Sequence, residues 1–293
     1  MWFAASLISA VVYSARGIVE KLYINKVDKY VLALAVRLFA LPLFLIPLII
    51  NPSLIVNFQD LPLRFWLATV YVSAISTPIE MIFFYKALQG AEISYLVPIL
   101  SFSPIITSIF GYIFFKETPT ILGLLGMLLI VSGIYILNVT KVGEGIFEPL
   151  KHLSGNKSVR YLSIMLAFYS IAIVIDKVAI TGANMYFYAF VNYLLVTISL
   201  FCITLYKAKS KLIELRTNFK PFAFIGLIVA VYTLLRFYAL QHGTSSYVSA
   251  IMASSTIFTT IFGIIFLKEQ NKYVKIAVAC IATIGIILLK MAK

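Results

Sequence analysis

Three of the six arginines in this chain, Arg16, Arg37 and Arg236, lie inside long apolar runs, and so do the carboxylates Glu20, Glu80 and Asp176. An ionisable group inside a bilayer costs about 2.5–3.5 kcal/mol on insertion scales, so such residues are retained where they bind, move charge or hold a structural ion pair. At 1.5 Å per residue, Arg16, Arg37 and Glu80 each fall roughly 9–12 Å deep from the same side of the membrane, so they can form one cluster. Two guanidiniums against one carboxylate favour a ligand bearing a carboxylate, phosphate or other anionic group, which arginine can grip with two parallel donors. The structural alternative is an ion-pair network, or Arg16 pairing with Glu20 one turn along its own helix.

Glu20 and Asp176 invite a second idea. Lys86 lies at the end of its run within reach of Glu20, and Arg236 is similarly placed for Asp176. The two pairs would then be gates on opposite faces of the membrane. The alternative is that Glu20-Lys21 and Asp176-Lys177 are interfacial pairs whose lysine stems snorkel to water. Desolvation of Glu80 or Asp176 would make either a proton carrier, with simple exchange as the other route to coupling.

The elements that must position these groups follow from composition. The 293 residues are 62% hydrophobic and 12% charged, with a mean hydropathy of +1.01, whereas a soluble domain carries about a quarter charged residues. The net charge of +13 is not a nucleic-acid signature here, because the basic residues sit between apolar runs, where they act as topology and headgroup signals. Runs long enough to cross a ~30 Å hydrocarbon core fall near 2–24, 31–50, 63–88, 93–115, 120–139, 158–180, 185–206, 221–241, 245–267 and 272–290. They lack the alternation of barrel strands. The first reads as a membrane span and not as a cleaved signal. The expected fold is thus an all-α membrane protein with ten transmembrane helices.

The chain is also written twice. A shift of 152 lays Ala87-Leu88-Gln89 on Ala239-Leu240-Gln241, Ser94-Tyr95 on Ser246-Tyr247, Phe110-Gly111 on Phe262-Gly263, Lys116-Glu117 on Lys268-Glu269 and Gly133-Ile134 on Gly285-Ile286, with 19 identities in 54 positions from 84 to 137. A shift of 156 aligns Tyr13-Ser14 with Tyr169-Ser170, Glu20-Lys21 with Asp176-Lys177 and Tyr30 with Tyr186. The halves are residues 1–139 and 158–293, joined by a loop over 140–157. Each half holds five helices, and because five is odd the second must enter the membrane upside down, the inverted-repeat plan of many secondary transporters.

Two five-helix repeats with Ala-Leu-Gln after the third helix, Ser-Tyr opening the fourth, Gly and then Lys-Glu closing it and Gly near the end of the fifth resemble the EamA family of the drug/metabolite transporter superfamily. The resemblance implies transport without naming the cargo. It also implies that helices 1, 3, 4, 6, 8 and 9 line a central cavity, which makes Tyr13, Tyr85, Tyr95, Tyr169, Tyr232 and Tyr247 wall residues; core packing is the other reading of each. Pro78 beside Glu80 frees backbone polarity at cavity depth.

The expectation is therefore a secondary transporter in the cell membrane for a small polar or anionic metabolite, working as a monomer or weak dimer in the lipid bilayer. The alternatives are a flippase for a lipid-linked phosphate and an intramembrane enzyme. Against catalysis, the only histidines are His152 and His242, both in loops, and no nucleophile–base spacing stands out. Cys202 and Cys280 sit in apolar runs with no disulfide or metal spacing, and no cofactor is expected. Lys and Arg concentrate in the loops near 25–30, 139–160, 207–220 and 268–273. Charge puts that side in the cytoplasm and both termini outside, whereas the family resemblance implies cytoplasmic termini.

Overall fold

The computed structural model describes residues 1–23, 26–90, 100–139, 157–259 and 272–292. Among the described residues every regular element is helical. In chain order these are α1 (Trp2–Tyr23), α2 (Lys29–Leu38), α3 (Leu41–Ile50), α4 (Leu63–Val70), a π-helical segment (Tyr71–Ser76), α5 (Thr77–Gly90), α6 (Ser103–Phe115), α7 (Ile121–Val139), α8 (Lys157–Gly182), α9 (Met185–Ala208), α10 (Glu214–Thr217), α11 (Phe219–His242), α12 (Ser245–Ala253) and α13 (Lys272–Met291). Five stretches among the described residues are long and apolar enough to cross a membrane: Lys29–Ile50, Leu63–Phe84, Lys157–Gly182, Met185–Lys211 and Phe219–His242. The sequence-based boundaries for these spans agree within a few residues. The runs near 93–115 and 245–267 fall partly outside the described residues.

Polar residues at the breaks start the helices. Asp28 caps α2 by accepting the Tyr30 and Val31 amides at 2.8 and 3.4 Å. Asn184 does the same for α9, accepting from Tyr186 and Phe187 while its own amide donates to the Leu54 carbonyl at 2.8 Å. A side-chain acceptor satisfies amides that have no partner in the first turn, worth about 1 kcal/mol. Pro42 near the start of α3 follows the kink at Phe39–Ala40, and a second proline, Pro47, lies inside α3. The π-helical segment lies directly before Thr77-Pro78, and the widened turn is one way a helix absorbs a proline that removes a backbone donor.

The chain forms two compact units, residues 1–78 with 175–242, and residues 79–174 with 243–293. Two of the three boundaries fall inside helices, α5 and α8, and the third follows the end of α11; each unit draws chain from both sides of the 140–157 segment. In the first unit α1 packs on α11, while α9 packs on α2 and α3. Gly226 lets α11 approach the α2–α3 kink so closely that a Cβ there would lie 2.6 Å from the Phe39 carbonyl carbon. Lipid tails are as apolar as leucine side chains, so such close backbone contact, more than apolar burial, holds membrane helices together.

In the second unit α6 packs on α12 and α7 on α13. The α7–α13 crossing is set by Gly126 and Gly285, where a Cβ on either would come within 2.8 and 2.7 Å of the other's carbonyl oxygen. Reciprocal caps join the turns beside these helices. The Glu117 carboxylate accepts the Ser245 amide at 2.8 Å at the start of α12, and the Tyr247 hydroxyl accepts the Thr120 amide at 2.9 Å at the start of α7. Lys116 takes a left-handed conformation (φ 55°) that ends α6, and Gly111 leaves room for the returning Glu117 side chain. The Lys116-Glu117 and Ser246-Tyr247 copies of the sequence motifs therefore lie at helix boundaries, where Lys116, Glu117 and Tyr247 end or cap helices.

Candidate functional site

A group of polar side chains in the first unit forms a network built on five elements. From α11, Tyr232, Thr233 and Arg236 share a face because they are one position and one turn apart. From α9, Tyr188, Asn192 and Tyr193 are spaced the same way. Helix α1 supplies Arg16 and Ser9, α2 supplies Arg37, and the C-terminal part of α8 supplies Asp176.

Arg16 donates through Nη1 to the Tyr232 hydroxyl at 2.9 Å, with its guanidinium carbon 5.4 Å from the Tyr13 ring centre and 5.6 Å from that of Tyr232. Those two rings meet edge to face at 5.1 Å. Ser9 donates to the Tyr232 carbonyl at 2.8 Å, fixing α1 against α11. Arg37 donates through Nη1 to the Tyr193 hydroxyl at 2.7 Å and sits 4.9 Å from that ring's centre. The Tyr193 hydroxyl also shares a 2.8 Å hydrogen bond with Thr233 Oγ1, and Phe44 packs on its ring at 4.4 Å. Adjacent residues Tyr232 and Thr233 thus tie the Arg16 and Arg37 arms together.

The third arm is an ion pair. Arg236 Nη2 donates to Asp176 Oδ2 at 2.7 Å, and the Tyr188 hydroxyl donates to Asp176 Oδ1 at 2.5 Å. Asn192 donates in turn to the Tyr188 oxygen at 3.2 Å. The Asp176 side chain is 3% exposed and that of Arg236 19%. Burial makes the pair costly to break: removing one partner of a buried pair costs about 3–5 kcal/mol, because the remaining charge is left desolvated. Arg37 as well as Arg236 bears electrostatically on Asp176, and Arg16, Arg37 and Arg236 all bear on the Tyr232 hydroxyl. Three guanidiniums therefore converge on one small region. Arg236 is committed to Asp176, whereas Arg16 and Arg37 are oriented by tyrosine hydroxyls, and guanidiniums so placed can receive the oxygens of a carboxylate or phosphate.

Of the residues singled out from the sequence, Arg16, Arg37, Tyr13, Tyr232, Asp176 and Arg236 come together here, with Tyr13 on the rim at 38% exposed. Glu80 and Tyr169 are half-buried members of the second unit. Lys86, also of that unit, is exposed and lies over the Phe83 and Tyr161 rings at 5.4 and 5.5 Å. The Tyr247 hydroxyl is engaged by the α7 cap. Tyr95 and the side chains of Glu20 and Tyr85 lie outside the described residues, so the Glu20–Lys86 pairing does too.

Tyr188, Asn192, Tyr193 and Thr233 belong to the site and were not singled out in the sequence. For the three on α9 the signal was present as a polar stripe, Tyr188, Asn192-Tyr193 and Thr197, repeating about each turn of the helix. Among the described residues no group of histidine, cysteine and acidic side chains could hold a metal.

Known proteins resemble this chain in family and in fold. It is 34% identical over 74 residues to an uncharacterized protein of Methanocaldococcus jannaschii, a match that covers 25% of this chain and 54% of the other, so the chain spans about half the length of that curated relative. A solved crystal structure, described only as that of a protein, superposes with a TM-score of 0.78 over 99% of this chain and 96% of its own at 10% identity, which bears on the fold alone. The EamA-like transporter family matches residues 1–139 and again 157–291. With matches over nearly its whole length and the apolar helices described above, this chain is a multi-pass helical membrane protein that belongs to the EamA-like transporter family.

Proposed function

We propose that this protein is a secondary active transporter that carries a small anionic metabolite across the cell membrane, with Arg16 and Arg37 as the groups that bind its charge. The observation that carries the reading is the pair of guanidinium–tyrosine bonds, Arg16 to Tyr232 and Arg37 to Tyr193. A tyrosine hydroxyl carries no charge of its own, and a guanidinium presents five N–H donors in a planar fork that matches the oxygens of a carboxylate or phosphate. Asp176 and Arg236 act as a gate in this scheme, opening when the pair exchanges partners, and Asp176 is the carboxylate through which a proton would couple.

Ten helices in two inverted five-helix repeats complete the reading. It is supported by the separate family matches to residues 1–139 and 157–291. It is further supported by packing within each unit, where a helix from the first half lies against one from the second: α1 on α11, α2 on α9, α6 on α12 and α7 on α13. Halves related by a two-fold axis in the membrane plane produce such pairs and let one arrangement interconvert with its mirror in sidedness, which is alternating access.

Uptake by proteoliposomes tests the proposal. Purified protein would be screened for metabolites that raise its melting temperature, and each hit would be assayed for uptake alongside a neutral analogue. Arg37→Gln is expected to weaken the anionic compound about tenfold more than the neutral one, the scale of one charge-assisted hydrogen bond. Equal weakening of both would remove Arg37 from the charge-binding role.

A further inference from the structure

The segment between α9 and α11 carries a surface that the transport site does not use. Lys207, Lys209, Lys211, Arg216 and Lys220 are all exposed there. Among them project three large apolar side chains, Tyr206 at 82%, Ile213 at 60% and Phe219 at 59% exposed. The α1–α2 turn lies alongside, because the Asp28 amide donates to Glu214 Oε2 at 2.8 Å, and it adds Lys26 and Lys29 to the same surface.

The two carboxylates within this surface face inward. Asp28 caps the α2 amides. Glu214 holds the Asp28 amide, and its other oxygen lies 4.0 Å from Lys211 Nζ. Seven basic side chains therefore stand against two acids already committed to backbone and to one lysine. Ile213 stands at the N-cap of the short helix α10, Arg216 lies within it and Phe219 opens α11, so apolar and basic groups are interleaved in sequence only a few residues from the ends of two membrane-crossing helices.

We infer that this surface is a docking site for the headgroups of anionic phospholipids. Basic side chains at the polar–apolar boundary attract phosphodiesters, while Ile213 and Phe219 enter the upper acyl region and Tyr206 sits at headgroup level. An acidic soluble protein would match the charge but would leave the exposed apolar side chains unaccounted for at the very depth where a span ends. Because Glu214 holds the amide of Asp28, the cap of α2, a headgroup bound here also braces the helix that carries Arg37.

The test uses the full-length protein in nanodiscs of phosphatidylcholine with and without phosphatidylglycerol, with melting temperature and binding of a spin-labelled phosphatidylglycerol as readouts. Wild-type protein is expected to melt higher with phosphatidylglycerol and to lose that gain at high salt. Lys209→Gln with Arg216→Gln should weaken labelled-lipid binding roughly fivefold for each charge removed, whereas the charge-conserving Lys209→Arg with Arg216→Lys should retain it. Arg64→Gln with Lys290→Gln, an equal loss of charge at exposed sites elsewhere, should leave it unchanged. Ile213→Ser with Phe219→Ser should weaken binding without altering its salt dependence.

Full lipid binding by the Lys209/Arg216 charge-removing variant, or equal loss in the Arg64/Lys290 control, would overturn the inference. So would inorganic phosphate alone reproducing the thermal gain, since that would mark a free-phosphate site. Melting in pure phosphatidylcholine verifies that each variant is folded. Substrate uptake is not a readout here, so the lipid site and the transport site can fail separately.

Discussion

Arg37 and Tyr193 are hydrogen-bonded at 2.7 Å and lie 156 positions apart in the chain, the same offset that aligns Tyr13 with Tyr169 and Tyr30 with Tyr186. In the proposed arrangement of two inverted repeats they occupy matching places in the two halves. Matching residues can touch only where they lie close to the axis relating the halves, so on that proposal the bond lies where a ligand would sit. The change from arginine to tyrosine between the matching positions then makes the binding group asymmetric.

That relationship makes a direct prediction. Tyr193→Phe removes the hydroxyl shared by Arg37 and Thr233 but keeps the ring against Phe44. The loss of one buried hydrogen bond corresponds to about 1 kcal/mol, so anion affinity should fall about fivefold with little change in fold. The swap Arg37→Tyr with Tyr193→Arg should retain more affinity than Arg37→Tyr alone, measured by the ligand-induced thermal shift. A swap no better than the single variant would argue against the two positions being equivalent.

The Asp176–Arg236 pair predicts a different pattern. Asp176→Asn and Arg236→Gln should each destabilise the protein by about 3 kcal/mol in denaturant unfolding, since each leaves a buried charge with its main counter-ion gone. The double variant should cost clearly less than the sum, and the difference is the coupling of the pair. Transport should fall in both single variants. Uptake unchanged in both would leave the pair structural and remove it from gating.

How far the sequence reached depends on whether the deciding force is local. Asp28 and Asn184 were readable as helix starts because a cap needs only its own next two or three residues. The buried arginines were readable because a guanidinium in an apolar run is costly wherever its partner is, and the Asp176–Arg236 reach followed from depth alone. Tyr193 was not readable as their partner, since a tyrosine hydroxyl in an apolar helix has many routes to satisfaction and its selection depends on α2 lying against α9. The π-helical turn at Tyr71–Ser76 was likewise hidden, because Pro78 permits a kink, an α-helix with a missing bond or a widened turn, and tertiary packing decides among them. For Tyr247, the family resemblance suggested a cavity wall, while its hydroxyl meets a helix start that only the folded chain brings near.

Close backbone crossings give the third prediction. Gly226→Ala should destabilise by about 1–3 kcal/mol, because the added methyl meets the Phe39 backbone, which cannot move away as a flexible side chain would. Gly126→Ala and Gly285→Ala should each do the same at the α7–α13 crossing. The two glycines share one contact, so the Gly126→Ala/Gly285→Ala double variant should cost less than the sum, whereas Gly226→Ala combined with either should be additive. Unfolding midpoints of the purified variants measure all of these.

The reciprocal caps of the second unit separate scaffold from site. Glu117→Gln should cost about 1 kcal/mol, since it weakens the acceptor for the Ser245 amide at the start of α12, and Tyr247→Phe should cost a similar amount by leaving the Thr120 amide without that hydroxyl. Neither change touches the Arg16–Arg37 network of the first unit, so the ratio of anionic to neutral ligand affinity should stay as in the wild-type protein. The decisive comparison is Tyr247→Phe beside Tyr193→Phe: both delete one buried phenolic hydroxyl and should lower the melting temperature, but only the second should also change ligand preference. If Tyr247→Phe instead changed ligand preference at an unchanged melting temperature, Tyr247 would be a binding-site wall and the cap incidental.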